Sequence, residues 1–147
     1  MATTVSSFVS GEPTTSPGSY SQPVKAEMRI DFSDTNVSST NVVQSLNIPA
    51  GALVTNVIVR VVTAEDATAT ATVGDGDDPN GWIASLDLNA TGTTFTAKPI
   101  NADAYPALGG RLYTSADTID LVVGADLDAC VLDIAAEYSM LEAVASA

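Results

Sequence analysis

Apolar and polar residues alternate with a period of two along most of this chain, and no stretch of useful length carries the 3.6-residue period of a helix. Val24, Ala26, Met28, Ile30 and Phe32 alternate with Lys25, Glu27, Arg29 and Asp31, which predicts a half-buried strand with a charged outer face. A polar loop over 33–40 leads to a second strand, marked by Val42, Leu46 and Ile48 and ended by Pro49, Ala50 and Gly51. The third strand, 53–63, is the longest and most β-branched, and is expected to lie centrally. It sets Val57, Val59 and Val61 on one face and Asn56, Ile58, Arg60 and Val62 on the other. Residues 68–73 alternate Thr and Ala before ending in Val73, small side chains that suit close approach to another surface. After an Asp/Gly/Pro/Asn turn, 82–88 places Trp82, Ala84, Leu86 and Leu88 on one face. Shorter candidates follow at 93–97 and 111–114, separated by a long loop over 98–110 with Pro99, Pro106 and a Gly109–Gly110 pair. Two further strands put Ile119, Leu121 and Val123, then Cys130, Leu132, Ile134, Ala136 and Tyr138, on their inner faces. Residues 140–147 read as one helical turn or a frayed tail.

About eight strands separated by compact turns are the signature of an all-β protein with two packed antiparallel sheets. Each buried aliphatic side chain contributes roughly 1.5–3 kcal/mol, so such faces support a fold without metal or disulfide. A jelly-roll or Greek-key topology is the simplest connection of these strands into a sandwich. An immunoglobulin-like topology is the alternative, and the aromatic-poor core and unpaired cysteine argue against it.

Composition narrows the function. The 147 residues suit one domain. Eighteen acidic against five basic residues leave a net charge of −13, which repels phosphate backbones and anionic lipid, so neither nucleic acid nor membrane is an expected partner. There is no histidine, hence no imidazole acid or base, no His-ligated zinc and no Ser–His or Cys–His nucleophile pair. With only Lys25 and Lys98, Ser–Lys chemistry is thinly supplied. Cys130 is the only cysteine, sits in an apolar run, and reads as a buried small hydrophobe made in a reducing cytoplasm. No stretch approaches the roughly 20 apolar residues that span a bilayer, and the N-terminus lacks the basic and apolar regions of a secretory signal. Three segments result: a Ser/Thr/Pro-rich arm over 1–23, the sandwich over 24–140 and a tail over 141–147. The arm is either a plain disordered tail or a segment that orders on a neighbouring subunit, with Phe8 and Tyr20 as anchors.

The acidic turn GDGDDPNG is the one candidate metal site. Asp75, Asp77 and Asp78, with Asn80, offer hard oxygen ligands that suit Ca²⁺. Against the EF-hand spacing the fifth position is Pro79, the sixth, normally Gly, is Asn80 and the twelfth is Leu86, so the template fails; the same residues are what a strand-connecting turn requires. The favoured reading is a structural turn, without catalytic metal or cofactor. Asp126, Asp128 and Asp133 read as a solvated acidic face. Paired carboxylates can hydrolyse glycosides, but one Trp, four Tyr and three Phe leave no aromatic platform beside them. Trp82 reads as core packing or a lid over one end of the sandwich. Arg60, in an otherwise apolar strand, faces solvent or pairs with an acidic neighbour, within the chain or across a subunit boundary.

Over 24–140, the run NIPAGALVTNVIVRVVTAEDATATATVGDGDDPNGWIASLDLNA, then GGRLYTSADTIDLVV and a last strand ending AAEYSML, resembles small structural proteins of tailed-bacteriophage virions. Among these it resembles the jelly-roll decoration, or cement, proteins. The resemblance implies a non-enzymatic homotrimer on the outer surface of the head, bound to the major capsid protein and stabilising the shell. A tail, fibre or baseplate-associated sandwich, including a host-glycan-binding module, is the alternative. A carbohydrate-active enzyme or free binding module is disfavoured by the missing histidine and sparse aromatics.

Overall fold

The computed structural model describes residues 3–4, 23–91, 94–96 and 104–141. Ten strands run in the order β1 (Thr3–Thr4), β2 (Val24–Asp31), β3 (Val42–Ile48), β4 (Ala52–Thr63), β5 (Thr70–Gly74), β6 (Ile83–Asp87), β7 (Thr94–Thr96), β8 (Arg111–Tyr113), β9 (Asp117–Val123) and β10 (Val131–Met140). One helical turn, α1 (Ala104–Ala107), falls within the segment expected to be loop. The first sheet has the order β1-β3-β9-β5-β6 and the second β2-β10-β4-β7, with β8 also paired to β4. Because β8 pairs with residues 52–54 of β4 and β7 with 58–60, the two short strands share one lane along its edge.

This is a jelly roll. The pairs β2–β10, β3–β9, β4–β7/β8 and β5–β6 form one long antiparallel ribbon, folded so that successive pairs alternate between the two sheets throughout. The expected two-sheet antiparallel sandwich and its topology are therefore observed. The long third strand lies between β10 and the β7/β8 lane, as its β-branched sequence predicts. Among the described residues only β1 departs from antiparallel pairing, setting Thr3 against Val43 and Thr4 against Gln44 in parallel.

The core fills the space between the sheets with Val57, Val59 and Val61 from β4, Ile119, Leu121 and Val123 from β9, and Leu132, Ile134 and Tyr138 from β10. Two faces differ from simple alternation. In β3 the pairing passes from Gln44 directly to Leu46, so Ser45 forms a bulge and Val43, not Val42, is buried. The buried Ser45 hydroxyl donates to the Ile119 carbonyl at 2.7 Å. In β6 the partners jump from Ile83 to Leu86 against Val73 and Ala71, so Ile83 points inward and Ala84 is exposed. Each inserted residue reverses the phase of the strand beyond it. Among the described residues no helix is long and apolar enough to cross a membrane.

Candidate functional site

The GDGDDPNG turn closes one end of the sandwich, between β5 and β6. Asp75 is buried at 1% exposure, and its carboxylate organises the turn. Oδ1 accepts the backbone N–H groups of Asp77 (3.0 Å) and Asp78 (2.9 Å) and the Tyr105 hydroxyl (3.0 Å). Oδ2 accepts the Tyr113 hydroxyl at 2.8 Å and lies 3.2 Å from Arg111 Nε, an ion pair without hydrogen-bond geometry. A second nitrogen of Arg111 donates to Asp77 and a third to the Tyr105 hydroxyl. The guanidinium lies over both phenol rings, 4.7 Å from the centre of Tyr105 and 5.1 Å from that of Tyr113. Trp82 completes the group, donating its indole N–H to the Tyr113 hydroxyl at 3.1 Å and meeting Tyr105 edge-on at 5.2 Å.

Local sequence makes this packing possible. A Cβ on Gly74 would lie 2.0 Å from the Asp78 carbonyl, and one on Gly81 would lie 2.4 Å from the Tyr105 ring. Both positions require the absence of a side chain. Tyr105 enters from α1, whose N–H donates to the Gly81 carbonyl at 2.9 Å. Burial pushes both phenols well above their ordinary pKa, and the bonds they donate to Asp75 push the same way, so they stay protonated as donors.

The sequence-predicted ligands are thus only partly brought together. Asp75 and Asp77 converge on Arg111, while Asp78 turns back to accept the Asn80 N–H at 3.4 Å. The cation held by this cluster is a guanidinium, and Asp75 faces four protein donors besides. The arrangement is built to rigidify a turn; it sets no nucleophile beside a base. Trp82, expected as core packing or as a lid over one end, is fully buried in the core beside this turn. Phe8 and Tyr20 lie outside the described residues.

At the opposite end a second carboxylate is buried, one that sequence reasoning did not single out. Glu65 follows β4 at 4% exposure, and its Oε2 accepts the N–H groups of Asp128 (3.2 Å), Ala129 (3.2 Å) and Cys130 (3.1 Å). Burial pushes its pKa up, but these donors together outweigh burial and hold it below the ordinary value. Exposed Asp66 and Asp128 stand beside it, with carboxylate oxygens of the three residues within 4.8 Å of one another. The hydrogen bond to Glu65 and the charges of Asp66 and Glu65 raise Asp128. Asp126 caps the neighbouring loop by accepting the Ser39 N–H at 2.7 Å. Asp133 lies apart on β10, bound by Arg29. Cys130 is buried and its thiol is pushed up to about 12 by burial and by Glu65, which makes it inert.

No family model matches the chain, and no curated protein does. Solved structures do match. A chain in the acid-stable capsid of Helicobacter pylori bacteriophage KHP30 is similar at 20% identity with a TM-score of 0.62, over 84% of this chain and 92% of that one. A chain in the capsid of Ralstonia phage GP4 is similar at 13% identity and a TM-score of 0.60, over 88% and 92%. One in the capsid asymmetric unit of cyanophage Pam1 is similar at 14% and 0.56, over 86% and 92%. The chain has the fold of these capsid chains.

Proposed function

We propose that this protein is a non-enzymatic structural component of a tailed-bacteriophage virion: a decoration or cement protein on the outer surface of the head. In this reading it is made in the host cytoplasm, binds the major capsid protein as a homotrimer and stabilises the shell. The observation that carries the reading is the jelly roll shared almost end to end with chains from three phage capsids. Since 92% of each of those chains is covered, each is little more than a single sandwich of this kind.

The described chemistry supports a structural role. The buried carboxylates at both ends are saturated by protein donors, and the buried phenols and thiol are held in their protonated forms. The arm over 1–23 supplies a second contact, with Phe8 and Tyr20 as anchors on the neighbouring subunit or the shell. Thr3 and Thr4 already use the edge of β3 as a strand-addition site.

The test is cosedimentation of the purified protein with phage heads that lack it. Saturable binding that is lost on removing residues 1–23 is the expected result. Failure to bind heads, with binding to tails instead, would overturn the reading.

A further inference from the structure

The outer face of the second sheet holds a shallow groove of about 460 Å³, lined by Lys25, Arg29, Ile58, Arg60, Asp133 and Ala135 among others. Three of the five basic residues of a chain with net charge −13 therefore stand on one face. Lys25 is paired with Glu27 of the same strand, which also lines the groove, at 3.0 Å, and strand register explains the other two. Asp133 of β10 lies directly between Arg29 of β2 and Arg60 of β4. Both of its oxygens are taken by Arg29, at 2.6 and 2.8 Å. The Arg60 guanidinium keeps only a Coulombic attraction to Asp133, and among the described residues it makes no side-chain hydrogen bond or ion pair. One row along, Ala135 lies between Glu27 and Ile58 and leaves a low apolar floor beside this guanidinium.

The end of the sandwich closed by Glu65 has the complementary imbalance. Asp66, Asp126 and Asp128 are exposed there, and among the described residues no basic side chain pairs with them. One copy thus presents a cation without an anion and an anion cluster without a cation. We propose that the groove around Arg60 is a self-assembly surface that receives the acidic end (Asp66, Asp126, Asp128) of a second copy. This deepens the homo-oligomeric part of the function proposed above and names the faces that meet. The contact joins two different faces, so it closes into a ring when the rotation between copies permits.

Sedimentation equilibrium of the full chain at low and high salt tests this. Self-association that weakens with salt, and by roughly tenfold or more in Arg60→Glu, is expected for a charge pair at an interface. Arg60→Gln weakens it less, and an Asp66→Lys/Asp128→Lys variant weakens it comparably. Mixing that variant with Arg60→Glu restores association, because the reversed charges meet. A cooperative melting transition at a concentration where wild type is monomeric, unchanged in midpoint, shows that each variant is folded. A wild-type chain that stays monomeric, or an Arg60→Glu chain that associates like wild type, would overturn the proposal. Head binding is read separately: Arg60-dependent association without head binding overturns the cement role alone, and head binding with Arg60-independent association overturns this contact alone.

Discussion

At one end of the sandwich the buried carboxylate of Asp75 is met by side chains, Tyr105, Tyr113 and Arg111, together with two backbone N–H groups. At the other, Glu65 is met by three backbone N–H groups of one turn and, among the described residues, by no cation. Both ends satisfy an anion that burial disfavours, but with different consequences outside. Arg111 lies beside Asp75 and also binds the exposed Asp77, so the buried anion at that end has a cation of its own. The Glu65 end uses dipoles only, and Asp66 and Asp128 beside it leave uncompensated negative charge at the surface. One end is closed by packing, and the other is left able to attract a cation from elsewhere.

The largest effect is expected from removing the buried anion at the Asp75 end. Asp75→Ala leaves two buried phenols without their acceptor and Arg111 without its innermost partner, and is expected to cost about 3 kcal/mol in denaturant unfolding. Tyr113→Phe, which removes one donor to Asp75 and the acceptor of the Trp82 indole N–H, costs about 1–2 kcal/mol on the same scale. Equal losses would mean that Asp75 does not organise the end.

Glu65→Gln keeps an acceptor but loses the charge, and about 1–2 kcal/mol of stability is expected to go with it at pH 7. Because the Glu65 pKa is lowered in the folded state, this contribution is present above the unfolded value and lost as the pH falls below about 4. Wild type and Glu65→Gln should therefore converge in acid; a gap that persists there would show that charge is not what the N–H groups recognise.

Asp120 makes the opposite prediction. Buried on β9 and raised to about 6, chiefly by burial, it favours the protonated folded state. Stability falls as the pH rises from about 4 to about 6, so Asp120→Asn is expected to stabilise by about 1 kcal/mol at pH 7 and by nothing near pH 4. Melting curves at the two pH values check the sign. Ca²⁺ should do least of all at the Asp75 end: exchanging Ca²⁺ for a chelator should move the melting temperature of wild type and Asp77→Ala equally, to within about 1 °C, since Arg111 holds the cation's place at Asp77. A rise lost only in Asp77→Ala would put a metal where Arg111 lies.

Much of the fold is legible in the residues themselves. Val24 to Phe32 and Val57 to Val61 alternate cleanly, and the structure buries the sides that the alternation predicts. Val42 and Ala84 mislead because a bulge changes phase without changing composition; Ser45 reads as an ordinary polar residue of its strand. The candidate site was half legible. Asp75 and Asp77 stand out by type and spacing, but their partners Tyr105, Arg111 and Tyr113 come from 30 to 38 residues away, and only the folded ribbon brings them together. Glu65 carried no signal: its partners begin 63 residues on, and a backbone N–H has no residue type to read.

Imaging shows whether the protein takes a place on the phage head. Cryo-electron microscopy of heads saturated with the protein should show the jelly roll as trimers on the outer surface, in contact with the major capsid protein, with residues 1–23 ordered against a neighbour. Density confined to the tail or baseplate, or heads that remain bare at saturating protein, would contradict the account.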